Sequence, residues 1–400
     1  MKARITACIF TLSVIIPGYA SSGPAVDAAP TAALGPYYVA SSLGTLNGTS
    51  STGNSINEQG WIAGTANRSA DSTRATLWLD QPNRQSIDLG TLGGSNSAVA
   101  WPNHNESGLI AGIAETPAID KLGESWSCAA FFLKVTHHVC RGFMWRNNVM
   151  TPLPTLGGIN GYAAGTNNVG QIVGWAENTT RDRTCTGSQV LQFKPAYWSP
   201  DGRIHQLPTL PGDPDGAATA TNNQGQIVGI SGTCDQAVGR YTARHAVIWH
   251  DGTVTNLGKL LGGVAWNTPT SINNRGDVVG FANLPGGDPG AIHPQAFLWT
   301  ASGGVTKLGA LPGDQFSIAN GINDRDQIVG VSFGGPSGLQ RAFLWQHGVM
   351  TDLNTLVLPG SHLYLNAASD INDRGAITGQ ATLQGTNETP GFLAVPRRGT

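Results

Sequence analysis

One eight-residue motif recurs seven times along the chain and restricts its possible folds more than any other feature. It reads Asn, two variable residues, Gly, one variable residue, Ile or Val, one variable residue and Gly. The seven copies start at Asn57, Asn105, Asn167, Asn222, Asn273, Asn323 and Asn372. Asp326 replaces the first Gly in one copy, and Asp is among the few other residues that tolerate a positive φ. The motif therefore predicts seven tight hairpin turns, each followed by a short apolar strand.

Two further motifs recur in step with the first. A strand that ends in Trp occurs at Trp78, Trp145, Trp198, Trp249, Trp299 and Trp345, and Ala394 takes that position in the last copy. A Leu-x-x-Leu motif precedes every Asn motif, first at 43–46. Each repeat thus contains four strands: a before the Asn turn, b after it, c ending in Trp, and d after a second turn such as Asp251-Gly252. Repeats of four short strands predict an all-β fold, a seven-bladed β-propeller with four strands in each blade.

The two ends of the repeat region predict how the ring closes. The region begins with a d-type strand at 37–43, and it finishes after a c-type strand at 391–395. We expect the N-terminal strand to complete the last blade, since this leaves no unpaired edge at the junction.

Composition narrows the class of protein. Charged residues make up 12% of the chain, against about 25% in an average globular protein. The hydrophobic share of 40% supplies a core, which argues against a disordered chain. The formal net charge of −2 offers no basic surface for a phosphate backbone, so nucleic acid is not an expected partner.

The N-terminus indicates export. Lys2 and Arg4 precede an apolar run at 5–16, and small residues follow at Gly18 and Ala20. This order predicts a signal peptide over 1–20, and a linker rich in Ala, Pro and Gly over 21–35 precedes the propeller at 36–396. No later run is apolar and long enough to span a membrane. We expect a secreted or periplasmic monomer.

The repeats resemble those of the HAF family of extracellular bacterial proteins. The copies that carry the resemblance are the strand Gln295-Ala296-Phe297-Leu298-Trp299, the strand at 244–249 and the turn segment at 273–280. The resemblance covers about residues 36–396. It implies an exported, propeller-like repeat protein and brings no catalytic residue with it.

Four cysteines remain after the predicted leader, and an even number in an exported chain indicates disulfides. Cys128 and Cys140 belong to the second repeat, whereas Cys185 and Cys234 belong to the third and fourth repeats. Three connectivities are possible, of which Cys128–Cys140 with Cys185–Cys234 is the simplest. All four are assigned to loops between strands b and c.

Loop length identifies the surface on which binding is expected. The spacing from the motif Asn to the Trp varies from 21 to 40 residues, whereas the a–b turn keeps one length. The b–c loops share one face of the disc with the d–a loops, and variable loops on a rigid frame commonly carry binding residues. Candidate ligand-contacting residues on this face are Trp126, Phe131, Phe132, His137, His138 and Trp266. The alternatives are that these residues anchor the long loop, or that loop length has drifted freely.

Two classes of function remain open. The first is an exported, non-enzymatic binding or structural module that recognises an envelope glycan or an extracellular protein. The second is a glycan-acting hydrolase or lyase, for which Asp213 and Asp314 on d–a loops are candidate paired carboxylates. The first class assigns no catalytic residue, and no cofactor is predicted. No metal site is predicted either, because His137 and His138 lack partner ligands at a suitable spacing.

Overall fold

The computed structural model describes residues 38–69, 72–79, 85–124, 128, 131–132, 134, 136–185, 187–235, 239, 241–285 and 292–397. The predicted leader at 1–20 and the linker at 21–35 lie outside these residues, and so does Trp126. Within the residues that the structure describes, no helix is long and apolar enough to cross a membrane.

Seven four-stranded antiparallel sheets form the blades of a β-propeller, as the repeats predict. Blade 1 consists of β2 (Ser51–Ile56), β3 (Ile62–Ser69), β4 (Ser72–Trp78) and β5 (Ser86–Asp88). Blade 2 consists of β6 (Ser97–Ala98), β7 (Ile110–Ile119), β8 (His138–Arg146) and β9 (Val149–Pro152). Blade 3 consists of β10 (Gly157–Thr166), β11 (Ile172–Arg181), β12 (Leu191–Trp198) and β13 (Ile204–Gln206). Blades 4 and 5 consist of β14 (Asp215–Thr221), β15 (Ile227–Gly232), β16 (His245–His250) and β17 (Thr253–Asn256); and β18 (Thr268–Ile272), β19 (Val278–Asn283), β20 (Pro294–Thr300) and β21 (Gly304–Gly309). Blades 6 and 7 consist of β22 (Phe316–Ile322), β23 (Ile328–Phe333), β24 (Arg341–Gln346) and β25 (Val349–Asp352); and β26 (Leu363–Ile371), β27 (Ile377–Leu383), β28 (Gly391–Pro396) and β1 (Tyr38–Gly44). Short 3-10 helices lie at Thr242–Arg244 and Leu353–Leu356.

The N-terminal strand completes the last blade, as expected. β1 pairs antiparallel with β28, with Tyr38 opposite Pro396 and Gly44 opposite Gly391. The Tyr38 and Leu43 side chains are buried. Burial also raises the pKa of Tyr38 to about 12. The first and last segments of the repeat region therefore form one hydrogen-bonded sheet.

The Trp and Leu motifs recur together because they pack on each other between blades. Trp198 of blade 3 shares an apolar cluster with Leu153 and Leu156, which precede that blade. Its indole nitrogen donates a hydrogen bond to the Pro154 carbonyl oxygen at 2.9 Å. The five other motif tryptophans and Ala394 share apolar clusters with the Leu-x-x-Leu pairs that precede their own blades. This packing joins each blade to the one before it.

The motif asparagines form a closed ring of hydrogen bonds that the sequence analysis did not predict. Within its own turn, the Asn222 side-chain oxygen accepts hydrogen bonds from the backbone nitrogens of Gln224 and Gln226. Its side-chain nitrogen reaches the next blade and donates to the Asn273 carbonyl oxygen at 3.0 Å. All seven asparagines make this second bond, at 2.5–3.2 Å, and the last one returns from Asn372 to Asn57.

The residue after each motif Asn forms a second closed ring. Its backbone nitrogen donates to the side-chain oxygen of the same position in the next blade, at 2.6–3.0 Å. The seven positions are Glu58, Glu106, Asn168, Asn223, Asn274, Asp324 and Asp373. All seven side chains are Asp, Glu or Asn, and each has an oxygen that accepts this hydrogen bond.

The last Gly of the motif is required by a close backbone approach. Gly330 pairs with Ala319 next to a bulge in β22, and a Cβ atom on Gly330 would overlap the Ile318 carbonyl oxygen. The equivalent glycine of every other blade meets a strand-a carbonyl oxygen in the same way. Any larger residue would have to push strands a and b apart.

Candidate functional site

The disc has two faces of different construction. The turn face consists of the a–b turns, which carry the two hydrogen-bonded rings, together with the c–d turns. The loop face consists of the b–c loops and the d–a loops that lead into the next blade. The longest b–c connection runs from the end of β7 at Ile119 to the start of β8 at His138. We call it the blade 2 insert.

Two of the predicted site residues anchor the blade 2 insert on the disc. Phe132 is 6% exposed and belongs to an apolar cluster with Trp101, Trp175 and Cys128. The Phe131 ring is half-buried and stacks on Tyr162, with centroids 4.8 Å apart. Phe132 is therefore a core residue, and its burial does not favour the ligand contact for which the sequence made it a candidate. The alternative that the rings hold the long loop in place describes this pair better.

The two predicted histidines lie at the end of the same insert. His137 is exposed and has a positive φ of 57°. His138 begins β8 and pairs with Ile119. Among the described residues, no group of three or more His, Cys, Asp or Glu side chains is arranged to hold a metal ion. A ligand-binding role for His137 and His138 stays a prediction.

The cysteines form the predicted pairs. Cys128 and Cys140 are disulfide-bonded with Cα atoms 5.8 Å apart, and Cys185 and Cys234 are bonded with Cα atoms 4.7 Å apart. Three of the four lie in b–c loops, but Cys140 lies within strand β8. The first bond fastens the insert to its own blade, and the second joins blades 3 and 4. Two disulfides favour an oxidising compartment.

Blades 5 and 6 carry a cluster of half-buried rings on the loop face. The imidazole of His293 stacks on Phe316, with centroids 5.2 Å apart and planes 7° apart. Phe316 in turn contacts Phe333, with centroids 5.6 Å apart. Trp266, a predicted site residue, packs in the same apolar group as Phe333 and Ile292. We call Trp266, His293, Phe316 and Phe333 the ring cluster.

Exposed apolar side chains extend this surface. Val264, Leu284 and Leu339 lie on loops of the same region of the loop face and are 75%, 38% and 49% exposed. His293 is itself exposed, whereas Trp266, Phe316 and Phe333 are half-buried. Partly exposed rings beside exposed aliphatic groups on one face are typical of an interaction site. The sequence analysis missed His293, Phe316 and Phe333, although each stands at or beside the loop-face end of a strand.

The centre of the turn face contains a polar cavity of about 130 Å³. Its walls include the second ring, in which four carboxylates occupy consecutive blades 6, 7, 1 and 2. His104 Nε2 lies 3.2 Å from Oδ1 of the fully buried Asp370, so this pair links blades 2 and 7. Burial alone would lower the pKa of His104. The charge and hydrogen bond of Asp370, together with Asp324 and Asp373, outweigh burial and raise that pKa above its ordinary value.

The two acids proposed for glycan chemistry are held in structural contacts. Asp213 Oδ2 accepts a hydrogen bond from Ser231 Oγ at 2.8 Å and contacts His245 Nδ1 at 2.8 Å. Asp314 Oδ2 accepts from Ser332 Oγ at 2.8 Å and pairs with Arg341 at 2.9 Å. Both side chains are buried, not solvated. Their contacts favour a role in fixing the d–a loops.

Blades 3 and 4 share a buried carboxyl pair close to the second disulfide. Burial, a hydrogen bond with Asp182 and that residue's charge raise the pKa of Asp215 to about 8. Burial would also raise the pKa of Asp182, but hydrogen bonds from Asp215 and Thr184 outweigh it and lower that pKa. Asp215 therefore carries the proton that the two carboxyls share.

Replacing Asp215 with Asn is expected to reduce the loss of stability at alkaline pH. The unfolded chain releases this proton near pH 3.8 and the folded chain near pH 8, so folding stability falls as pH rises between these values. An Asn at 215 can still accept from the Phe193 backbone nitrogen and can donate permanently to Asp182. At pH 9 we expect Asp215→Asn to be more stable than the parent chain by roughly 2 kcal/mol.

The check is chemical denaturation from pH 5 to pH 9. The matched control is Asp251→Asn, because the Asp251 side chain is 91% exposed and the residue already has a positive φ, which Asn tolerates. The control should follow the parent chain at every pH. If the free energy of unfolding changed with pH in the same way for Asp215→Asn and the parent chain, Asp215 would hold no shared proton.

Comparison with known proteins gives structural likeness only. No protein-family model matches the chain, and no curated protein sequence matches it either. The chain is similar in structure to the β-propeller domain of the Trilobed protease from Pyrococcus furiosus, with 11% identity, 90% of this chain and 93% of that chain covered, and a TM-score of 0.47. It is also similar to streptogramin B lyase, with 10% identity, 90% and 98% covered, and a TM-score of 0.49. Virginiamycin B lyase from Staphylococcus aureus is similar at 9% identity, with 90% and 99% covered and a TM-score of 0.49.

Proposed function

We infer that this chain is an exported, non-catalytic binding module that recognises an envelope glycan through the ring cluster on its loop face. The observation that carries the proposal is the stack of His293 on Phe316, continued by Phe333 and Trp266. Flat apolar faces of sugar rings pack against aromatic side chains, and aromatic anchors commonly dominate binding energy. The two disulfides and the resemblance to HAF repeats support an extracellular location.

The contrast between the two faces supports the same assignment. On the turn face, the motif asparagines are almost wholly engaged in joining blades, so their side chains are committed to the ring. On the loop face, the blade 2 insert covers part of the disc, whereas blades 5 and 6 leave rings partly exposed. A ligand on the loop face can therefore be bound without disturbing the hydrogen bonds that hold the blades together.

Removing either ring of the stacked pair is expected to weaken glycan binding. We expect His293→Ala and Phe316→Ala each to lower affinity by at least about fivefold, since truncation of an aromatic anchor commonly costs more than about 1 kcal/mol. The measurement is binding of the labelled mature chain to an array of bacterial envelope glycans, followed by titration of the best glycan. His293 is exposed, so its removal should leave the melting temperature nearly unchanged.

The matched controls are Val349→Ala and Val169→Ala, since both valines are 59% exposed and lie on the turn face. Both should bind like the parent chain. Full binding by the two ring variants would refute the site. Capture of an extracellular protein and no glycan would change the ligand class, and release of glycan fragments during the incubation would refute the non-catalytic role.

A further inference from the structure

Two residues at the centre of the turn face each occur in one repeat alone, and they meet across blade 1. The residue before the motif Asn is His104 in blade 2, whereas the other six blades have Ile or Thr there. The residue two places before the motif Asn is Asp370 in blade 7, and no other blade has an acidic residue there. His104 Nε2 lies 3.2 Å from Asp370 Oδ1. The two exceptional residues are therefore direct partners, although 266 positions separate them.

Asp370 connects three blades beside the point where the ring closes. Its Oδ2 accepts a hydrogen bond from the Ile56 backbone nitrogen of blade 1 at 2.9 Å, and its Oδ1 accepts from the Ile371 backbone nitrogen at 2.9 Å. Blade 7 contains both ends of the repeat region, because β1 pairs with β28 there. The contacts of Asp370 with Ile56 and His104 therefore join the C-terminal part of the chain to blades 1 and 2.

The charge of His104 matters because its partner is fully buried. The Asp370 side chain has no exposed surface, so its negative charge is costly unless a partner compensates it. A protonated imidazole places a positive charge 3.2 Å from the carboxylate. A neutral imidazole can only donate a hydrogen bond. The strength of this link between blades 7 and 2 therefore depends on whether His104 carries a second proton.

The charged groups that face His104 across the central cavity are acidic. Burial would lower the pKa of His104, but the charge and hydrogen bond of Asp370 outweigh it and raise that pKa above its ordinary value. No lysine or arginine lines the cavity in the described part of the chain. Arg374 is beside it but pairs with Glu58, with Nε 3.9 Å from Oε2, and its side chain is 68% exposed. The carboxyl groups that line the cavity with His104 belong to Glu58, Glu106, Asp324 and Asp373.

We propose that His104 and Asp370 form a pH-sensitive clasp across the closing junction of the ring. The protonated imidazole joins blade 7 to blade 2 by an ion pair, and loss of that proton leaves the buried carboxylate without a countercharge. The unfolded chain binds the same proton with an ordinary pKa of about 6.5. The raised pKa in the folded chain therefore stabilises the ring below about pH 6.5, and this contribution is lost as pH rises through the raised pKa. The clasp is independent of the glycan site on blades 5 and 6.

The first test compares the parent chain with His104→Gln by thermal unfolding at pH 6 and pH 9. A Gln side chain can still donate a hydrogen bond to Asp370, but it cannot gain a charge. At pH 6 we expect the parent chain to melt roughly 3 °C above the variant, and at pH 9 the two should agree to within about 1 °C. The matched control is His362→Gln, which makes the same change at an exposed position and should follow the parent chain at both pH values.

A second variant, Asp370→Asn, tests the partner of His104. It is the harsher change, because the amide can no longer accept from both the Ile56 and Ile371 backbone nitrogens, so it should be less stable than the parent chain at both pH values. Its deficit should be larger at pH 6 than at pH 9, and the two substitutions should be non-additive at pH 6.

Two results would overturn the clasp. The first is a difference between the parent chain and His104→Gln that is the same at pH 6 and pH 9, and this comparison decides even if Asp370→Asn does not fold. The second is a folded Asp370→Asn whose deficit is the same at both pH values, since another carboxyl group would then hold the proton on His104.

Discussion

Deletion of the N-terminal strand is expected to lower the melting temperature by roughly 10 °C or more. β1 forms the outer strand of blade 7, and its removal exposes the edge of β28 and the partners of Tyr38 and Leu43. Burial of two large side chains and six paired positions contributes on the order of 5 kcal/mol. In a repeat protein, opening one junction also removes the constraint that keeps all blades in a closed ring.

The comparison is between a chain that begins at residue 36 and a chain that begins at residue 45. Thermal unfolding followed by circular dichroism gives the difference. If the shorter chain does not fold, Tyr38→Ala offers a milder change, with an expected loss of about 3 kcal/mol. Equal stability of the two chains, or of Tyr38→Ala and the parent chain, would contradict closure by β1.

Asn222→Asp is expected to lower stability by about 2 kcal/mol, because its side chain loses the bond to the next blade and a second bond, to Gln226 Oε1. The carboxylate oxygen can still accept from Gln224 and Gln226, so the turn is preserved. The side chain can no longer donate to the Asn273 carbonyl oxygen, and it places a buried charge against that oxygen. Buried groups left unpaired cost about 1–3 kcal/mol.

Asn147→Asp is the matched control, since Asn147 is exposed and occupies a c–d turn at a φ of 51°. It makes the same chemical change outside the ring and should stay within about 0.5 kcal/mol of the parent chain. Denaturant unfolding measures both. Asn222→Asp with the stability of the control would mean that the bond between the two blades contributes nothing measurable to stability.

The sequence predicts the blades well because the information about each blade is local. A turn residue, an apolar strand and a Trp all lie within one repeat, so their spacing reveals the number and order of strands. The bond from Asn222 to Asn273 joins residues 51 positions apart. Only the placement of one blade beside the next brings them together. The sequence nevertheless contained an indication of the second ring, because the residue after the motif Asn is Asp, Glu or Asn in all seven copies.

The surface residues were harder to predict, because their surroundings also depend on how distant segments of the chain pack together. Phe132 lies in a long loop, and sequence alone does not show that the loop folds back onto Trp101 and Trp175. Phe316 and Phe333 begin and end their strands, where a side chain can be either core or surface. The packing of His293 on Phe316 depends on two neighbouring blades, so no single repeat reveals it.

We expect the loop face to bind the ligand and the turn face to hold the blades together. Hydrogen–deuterium exchange tests this division most directly. The chain from residue 21 onward would be measured alone and with the tightest-binding glycan of the array. We expect slower exchange in the ligand complex at 264–268, 292–294, 315–317 and 333–341, and unchanged exchange in the seven Asn turns. Protection confined to the Asn turns, with the loop segments unchanged, would place the ligand on the opposite face and contradict the account.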